Sequence, residues 1–265
     1  MAKPAVTPFR EGFHSLTPYL IVEGAAKLID FLKQGFGAEE KLRVPKPDGA
    51  IMHAEVRVGG SVIELADANA QYPARPTNLH LYVPDADAAY HRAIAAGATS
   101  TAEPVDQPYG DREAGVRDPG GNDWYISTHK AAVPGQYTPE GLRAVTIYLH
   151  PKGAAELIDF LKRAFNAEEA ARYESPDGAI MHAKIRIGDS ILEMGEAHGP
   201  YQPSPTAIHL YVPDADAAYR QALAAGAASL TEPSDAPYGD RTAAVQDPHG
   251  NSWFLATPIK NVPLP

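Results

Sequence analysis

Two glutamates stand inside apolar, strand-like runs, where a charged side chain is costly unless it is paired or used. Glu64 lies in Ser61-Val62-Ile63-Glu64-Leu65 and Glu193 in Ser190-Ile191-Leu192-Glu193-Met194. Histidines stand close by in sequence: His53 in Ile-Met-His-Ala and His80 in His-Leu-Tyr-Val, with His182 and His209 in the same settings downstream. Carboxylate and imidazole together are a common means of moving protons near neutral pH. Apolar walls favour the protonated form of a glutamate, which suits a general acid or base, so Glu64 and Glu193 are the candidate catalytic residues. The plainer alternative is a carboxylate at a cleft mouth, solvated or paired with Arg57 or Arg186.

Other residues offer binding surface rather than proton chemistry. Tyr82, Tyr211, Trp124 and Trp253 can wall a pocket with aromatic area or serve as packing residues with one polar handle. With His53, His80, His182 and His209 they form the candidate ligand-binding set. The arginine of Pro-Tyr-Gly-Asp-Arg, Arg112 or Arg241, suits either an anion clamp or an Asp–Arg turn, and the turn is the expected use. Asp-Pro-Gly-Gly-Asn and Asp-Pro-His-Gly-Asn read as turn chemistry with no catalytic role. No Gly-rich phosphate loop and no Gly-x-Ser-x-Gly elbow is present.

The elements that position these residues come from a duplication. His53-Ala54 returns as His182-Ala183, an offset of 182 − 53 = 129, and the same offset joins His80 to His209 and Trp124 to Trp253. Thr17–Thr128 aligns with Thr146–Thr257 without a gap at about 59% identity. Two domains follow, 14–129 and 143–258, joined by a linker over 130–142 that contains Pro-Gly. In the first, Thr17–Val22 reads as a strand, and apolar spacing from Ala25 to Phe36 predicts a helix. Strands near 39–44, 50–58 and 61–66 follow, and the order then restarts with strand 78–83, helix 86–96 and strands near 99–103, 110–117 and 122–127. Gly37-Ala38 and Gly97-Ala98 are matching helix stops. Each copy is therefore βαβββ–βαβββ, two modules forming one curved mixed sheet with helices outside, and the chain is an α+β protein of four modules.

Period-two alternation puts His53, Glu55, Glu64, His80 and Tyr82 on the sheet face away from the helices. If the sheet curls, that face is a concave cleft. One departure between the copies matters: Glu55 becomes Lys184, so this position cannot supply the same fixed charge twice.

Composition excludes several classes. The 265 residues carry a formal charge of −10, 44% hydrophobic residues and no cysteine. That removes thiolate metal sites and cysteine nucleophiles and argues against nucleic-acid binding. No apolar run is long enough for a membrane span, and the first ten residues lack the apolar stretch of a signal peptide. A cytoplasmic protein that binds a small molecule is expected.

The element order, the opening Thr-Pro-Tyr-Leu, the segment from Ala50 to Leu65 and the close Asp-Pro-Gly-Gly-Asn-Asp-Trp resemble the glyoxalase/bleomycin-resistance/dioxygenase (vicinal oxygen chelate) superfamily, within it the PhnB-like glyoxalase-like proteins. The resemblance covers nearly all of both copies. It implies a protein that sequesters a small, partly apolar molecule without a metal, or alternatively a lyase or isomerase using Glu64 and Glu193 with a nearby histidine. It also implies that the two copies pack as an intramolecular pseudo-dimer. The family's metal ligands map to Thr17, Glu64, Asn78 and Tyr125, and to Thr146, Glu193, Ala207 and Phe254. Only the glutamates are good ligands there, so no metal or other cofactor is expected at that position. A register slip of two residues would bring in His80 or His209.

Overall fold

The computed structural model describes residues 9–10, 12–130 and 135–260. Residues 131–134 of the expected linker lie outside the described set. The module βαβββ recurs four times. The first is β1 (Leu16–Val22), α1 (Ala25–Phe36), β2 (Glu39–Pro45), β3 (Ile51–Val58) and β4 (Ser61–Asp67). The second is β5 (Asn78–Tyr82), α2 (Ala86–Ala95), β6 (Thr99–Asp106), β7 (Asp111–Arg117) and β8 (Asp123–His129). The third is β9 (Val145–Leu149), α3 (Ala154–Phe165), β10 (Glu168–Glu174), β11 (Ile180–Ile187) and β12 (Ser190–Met194). The fourth is β13 (Ala207–Tyr211), α4 (Ala215–Ala225), β14 (Ala228–Asp235), β15 (Asp240–Gln246) and β16 (Ser252–Pro258). Among the described residues no helix is long and apolar enough to cross a membrane.

The chain divides into two units, Pro18–Leu149 and Met1–Thr17 with His150–Pro265. These bounds differ from the repeat boundaries because β9 pairs antiparallel with β5, Leu79 opposite Ile147, and so belongs to the first unit. Conversely, the segment before β1 is tied to the second unit through Asp189, which accepts from Ser15 N at 2.8 Å and stands 2.8 Å from His14 Nδ1. Gly60 occupies the position equivalent to Asp189 in the first copy, so only one copy has this anchor.

Burial opposes the charge on Asp189, but bonds from Ser15, His14 and Ser190 outweigh it and hold the carboxyl down at about 2. A carboxyl depressed in the folded state contributes stability above its unfolded value, near 3.8, and loses it as pH falls through about 2. With its side chain 38% exposed, the contribution is about 1 kcal/mol after solvent screening. Wild type is expected to exceed Asp189→Asn by that margin in urea denaturation at pH 5, and the gap should close near pH 2.

In the first unit, β4 lies between β1, parallel to it, and β3, antiparallel to it, with β2 at the edge. Strands β5 to β9 belong to a different sheet, in the order β9-β5-β8-β7-β6. In the second unit β10, β11 and β12 pair antiparallel, and β13 lies parallel to β16, followed by β15 and β14. Strands β6 and β14 are exposed along nearly their whole length and carry Pro104 and Pro233, which fits edge strands that must not recruit further pairing.

Helix α1 buries Leu28, Ile29, Phe31 and Leu32 and ends at Gly37, whose φ of 68° closes the last turn without a Cβ penalty. Its N-terminus has no side-chain cap of its own. Asp67, at the end of β4, accepts instead from Gly24 N and Ala25 N at 2.9 and 2.8 Å, and its other oxygen accepts from Ile51 N at 2.6 Å. One carboxylate thus fastens helix, β3 and β4 together at the end of the site-bearing hairpin. Glu196 caps α3 in the same way. Asp67→Ala is expected to lower stability by about 1–2 kcal/mol in urea denaturation.

Candidate functional site

The first cluster is built by the β3–β4 hairpin. Its antiparallel register sets Glu55 directly opposite Glu64, and His53 shares their face because it lies two residues from Glu55. His53 Nε2 stands 3.2 Å from Glu55 Oε1, and one donor atom from each of His53, Glu55 and Glu64 falls within 4.8 Å of the others. The carboxylates are almost sealed from solvent, Glu55 at 3% and Glu64 at 1% exposure, while His53 is partly exposed. Tyr19 on β1, beside Glu64 in the parallel ladder, places its hydroxyl 3.4 Å from His53 Nδ1. The phenol holds one imidazole nitrogen and turns the other toward the carboxylates.

The second copy rebuilds the cluster with one change. His182 Nε2 lies 3.5 Å from Glu193 Oε1, and Glu193 is as buried as Glu64. The residue opposite Glu193 across the ladder is Lys184, where the first copy has Glu55.

A different network surrounds His80. Its Nε2 lies 2.8 Å from Ser127 Oγ and 3.4 Å from Glu113 Oε2, and Tyr82 OH lies 3.2 Å from its Nδ1 while the two rings stack at 4.3 Å. Ser127 and Tyr109 both donate to Glu113, at 3.1 Å each. Burial works against charge on Glu113, yet the bonds from His80, Ser127 and Tyr109 more than offset it and hold the carboxyl below its usual value. Serine, histidine and carboxylate meet here without forming a nucleophilic triad. The carboxylate contacts the serine and the same ring nitrogen, whereas a triad needs it on the opposite nitrogen. Tyr125 and Tyr148 approach His80 edge-on, at 6.2 and 6.5 Å between ring centres. In the second copy Thr242 and Ala256 replace Glu113 and Ser127. His209 stacks on Tyr211 at 4.6 Å, with Phe13 edge-on to both rings.

The predicted residues therefore fall into separate groups. His53 and Glu64 come together, as do His182 and Glu193, but His80 and Tyr82 lie in the other sheet of the unit with a separate set of partners. Glu64 is neither solvated nor joined to Arg57, which instead donates to Glu39 at 2.6 Å. Trp124 and Trp253, expected among the ligand-binding residues, lie on the opposite, helix-packed face with no exposure. Trp124 packs on Phe36 at 4.8 Å and donates to Asp118 at 2.7 Å, and Trp253 does the same with Phe165 and Asp247. Arg112 and Arg241 fix their loops by two-pronged bonds to Asp87 and Asp216 on the helix N-termini. Sequence reasoning missed Glu113, Ser127, Tyr109 and Tyr19. The joint change of Glu113 and Ser127 between the copies was the available signal.

Four βαβββ modules with buried polar clusters on the strands define a fold also seen in solved structures. Glyoxalase I from Zea mays superposes with a TM-score of 0.68 at 17% identity, covering 92% of each chain. A putative dioxygenase from Bacillus subtilis gives 0.60 at 14% identity over 92% of this chain and 85% of its own. At such identities the likeness is one of fold. In sequence, an uncharacterised protein of Mycobacterium bovis is 40% identical over 123 residues, 42% of this chain and 81% of that protein. The family model of the Glyoxalase/Bleomycin resistance protein/Dioxygenase superfamily matches residues 12–126 and 147–255, and the chain belongs to that superfamily.

The metal positions that the family resemblance implied do not fit a tightly held ion. They offer a hydroxyl, an amide and a phenol beside Glu64 in one copy, and an alanine and a phenylalanine in the other. No step is therefore routed through an ion at that position.

Proposed function

We propose that the chain is an enzyme of lyase or isomerase type that moves a proton on a small, partly apolar molecule. Glu64 and Glu193 are its acid/base groups, with His53 and His182 as their partners. The observation that supports this most is the recurrence, in both copies, of a carboxylate at 1% exposure near a partly exposed imidazole, within 4.8 Å for Glu64 and His53 and at 3.5 Å for Glu193 and His182. In such a pair the glutamate takes a proton from carbon next to a carbonyl, and the electron pair moves onto the carbonyl oxygen. The imidazole carries the proton of the hydroxyl on the deprotonated carbon to that oxygen, and the glutamate returns its own proton to the former carbonyl carbon. Bond making and breaking balance without an oxidant or a second reactant.

Incubating the full chain in D2O with a panel of small α-hydroxycarbonyl compounds and following the α-proton by NMR tests this reading. Exchange above the buffer rate supports it. Binding of panel members without exchange would favour sequestration, the second reading. That reading draws on the stacked His80–Tyr82 pair with Tyr125 and Tyr148 around it, aromatic surface suited to a planar ligand. It also draws on a largely apolar cleft of about 310 Å³ in the first unit, lined by Phe36, Leu81, Tyr82, Pro84, Arg92 and Tyr137 among others.

A further inference from the structure

We propose that Lys184 and Arg186 form an anion subsite beside the His182–Glu193 pair, so that the second copy takes small hydroxycarbonyl compounds bearing a phosphomonoester. The reacting part of the ligand rests on the proton-transfer reading above, whereas the anion subsite does not depend on it.

The hairpin of β11 and β12 carries the inference. Ala183, Ile185 and Ile187 are buried on one face of β11, so His182, Lys184 and Arg186 share the other. Lys184 stands directly opposite Glu193 in the ladder, about 5 Å away at Cβ. Arg186 lies two residues further on, roughly 7 Å along the strand. Both cations are partly buried, and among the described residues neither side chain makes a hydrogen bond or an ion pair. The ladder sets a carboxylate opposite each of them, Glu193 and Glu168, and neither closes a bridge. Glu193 stands 3.5 Å from His182, and Glu168 is exposed to water. Partial burial costs a cation hydration that no partner here returns. In a chain of formal charge −10, two such cations on one strand face are a local reversal of sign that favours an external anion.

The first copy uses the same positions internally. Glu55, which corresponds to Lys184, stands 3.2 Å from His53, and Arg57, which corresponds to Arg186, donates to Glu39 at 2.6 Å. The walls differ as well. Leu42 and Val44 of β2, opposite Glu55 and His53, become Ala171 and Tyr173 of β10, opposite Lys184 and His182. The smaller alanine frees space beside the ammonium group. Tyr173, 64% exposed with its ring 6.3 Å from that of His182, adds an aromatic wall. Two fixed cations match a phosphomonoester, which carries about −1.5 to −2 charge at pH 7. The guanidinium fork suits two of its oxygens and the ammonium group the third.

Calorimetry on the full chain tests the subsite, with dihydroxyacetone phosphate, uncharged dihydroxyacetone and the carboxylate hydroxypyruvate as probes. Wild type is expected to bind the phosphate compound at least about tenfold more tightly than either of the others, the usual contribution of a hydrogen bond between charged groups. Lys184→Gln and Arg186→Gln should each weaken that binding about tenfold and leave dihydroxyacetone unaffected, while Arg57→Gln changes neither. Affinity for the phosphate compound no greater than for dihydroxyacetone, including no binding of either, would overturn the proposal. So would an equal loss with Arg57→Gln and Arg186→Gln, and hydroxypyruvate binding as tightly as the phosphate would overturn the choice of anion. The two readings fail separately: phosphate-dependent binding without exchange in D2O sinks proton transfer alone, and exchange of dihydroxyacetone with no preference for the phosphate sinks the subsite alone.

Discussion

Trp124→Ala is expected to destabilise the first unit by about 3–5 kcal/mol in urea denaturation, while leaving the His53–Glu64 cluster intact. The indole has no exposure, packs against Phe36 at 4.8 Å, and lies beside Leu79 in the parallel β5–β8 ladder. Truncation removes that apolar area and leaves a cavity between sheet and helix. It also takes one donor from Asp118, a buried carboxylate whose ionisation burial already disfavours, pushing its carboxyl up despite bonds from Trp124, Asn122 and Gly120. Losing a bond to such a group adds to the packing loss. Trp253→Ala should behave alike, since Phe165 and Asp247 repeat the arrangement. If the tryptophans instead walled a ligand cleft, truncation would lower ligand affinity with little change in stability.

Glu64→Gln and Glu193→Gln bring the second large effect, on rate rather than stability. General acid/base groups contribute typically 10²–10⁴-fold. Each unit holds its own carboxylate–imidazole pair, so each single variant should retain the share of exchange catalysed by the other copy. Only the double variant should fall by the full factor. Glutamine keeps shape and hydrogen-bonding reach but cannot take a proton, so folding should survive, as circular dichroism can verify. A single variant that abolishes all exchange would show that only one copy works.

Much of the fold is legible in the chain because the signals that specify it are local and repeated four times. Gly37 and Gly97 both adopt positive φ where the helix-stop signals stand, and the strands fall within a few residues of the alternating runs. The faces of β3 and β4 follow from period two alone, which is why His53, Glu55 and Glu64 were placed together. The rest depends on pairing between distant segments. Nothing local to Val145–Leu149 says that it will join β5, so the unit boundary moved from the repeat boundary. Ser127 and Glu113 become neighbours only through the β7–β8 register, and His80 reaches them only through the parallel β5–β8 ladder. Trp124 is ambiguous in the sequence for a different reason. A tryptophan serves equally as pocket wall or core, and what decides is the buried Asp118 receiving its N–H, a contact set by the turn at Gly120–Gly121. Alternation could have shown it: Trp124 and Ile126 share a face, and Tyr125 and Ser127 share the other.

If the buried glutamates of the two hairpins carry the proposed proton transfer, removing both carboxylates separates binding from turnover. For a compound that the wild type exchanges in D2O, the α-proton exchange rate at saturation and the dissociation constant are measured for wild type and for the Glu64→Gln/Glu193→Gln variant. The expected result is a dissociation constant within about threefold of wild type and exchange slowed by at least about 100-fold. Exchange by the folded double variant at the wild-type rate would contradict it.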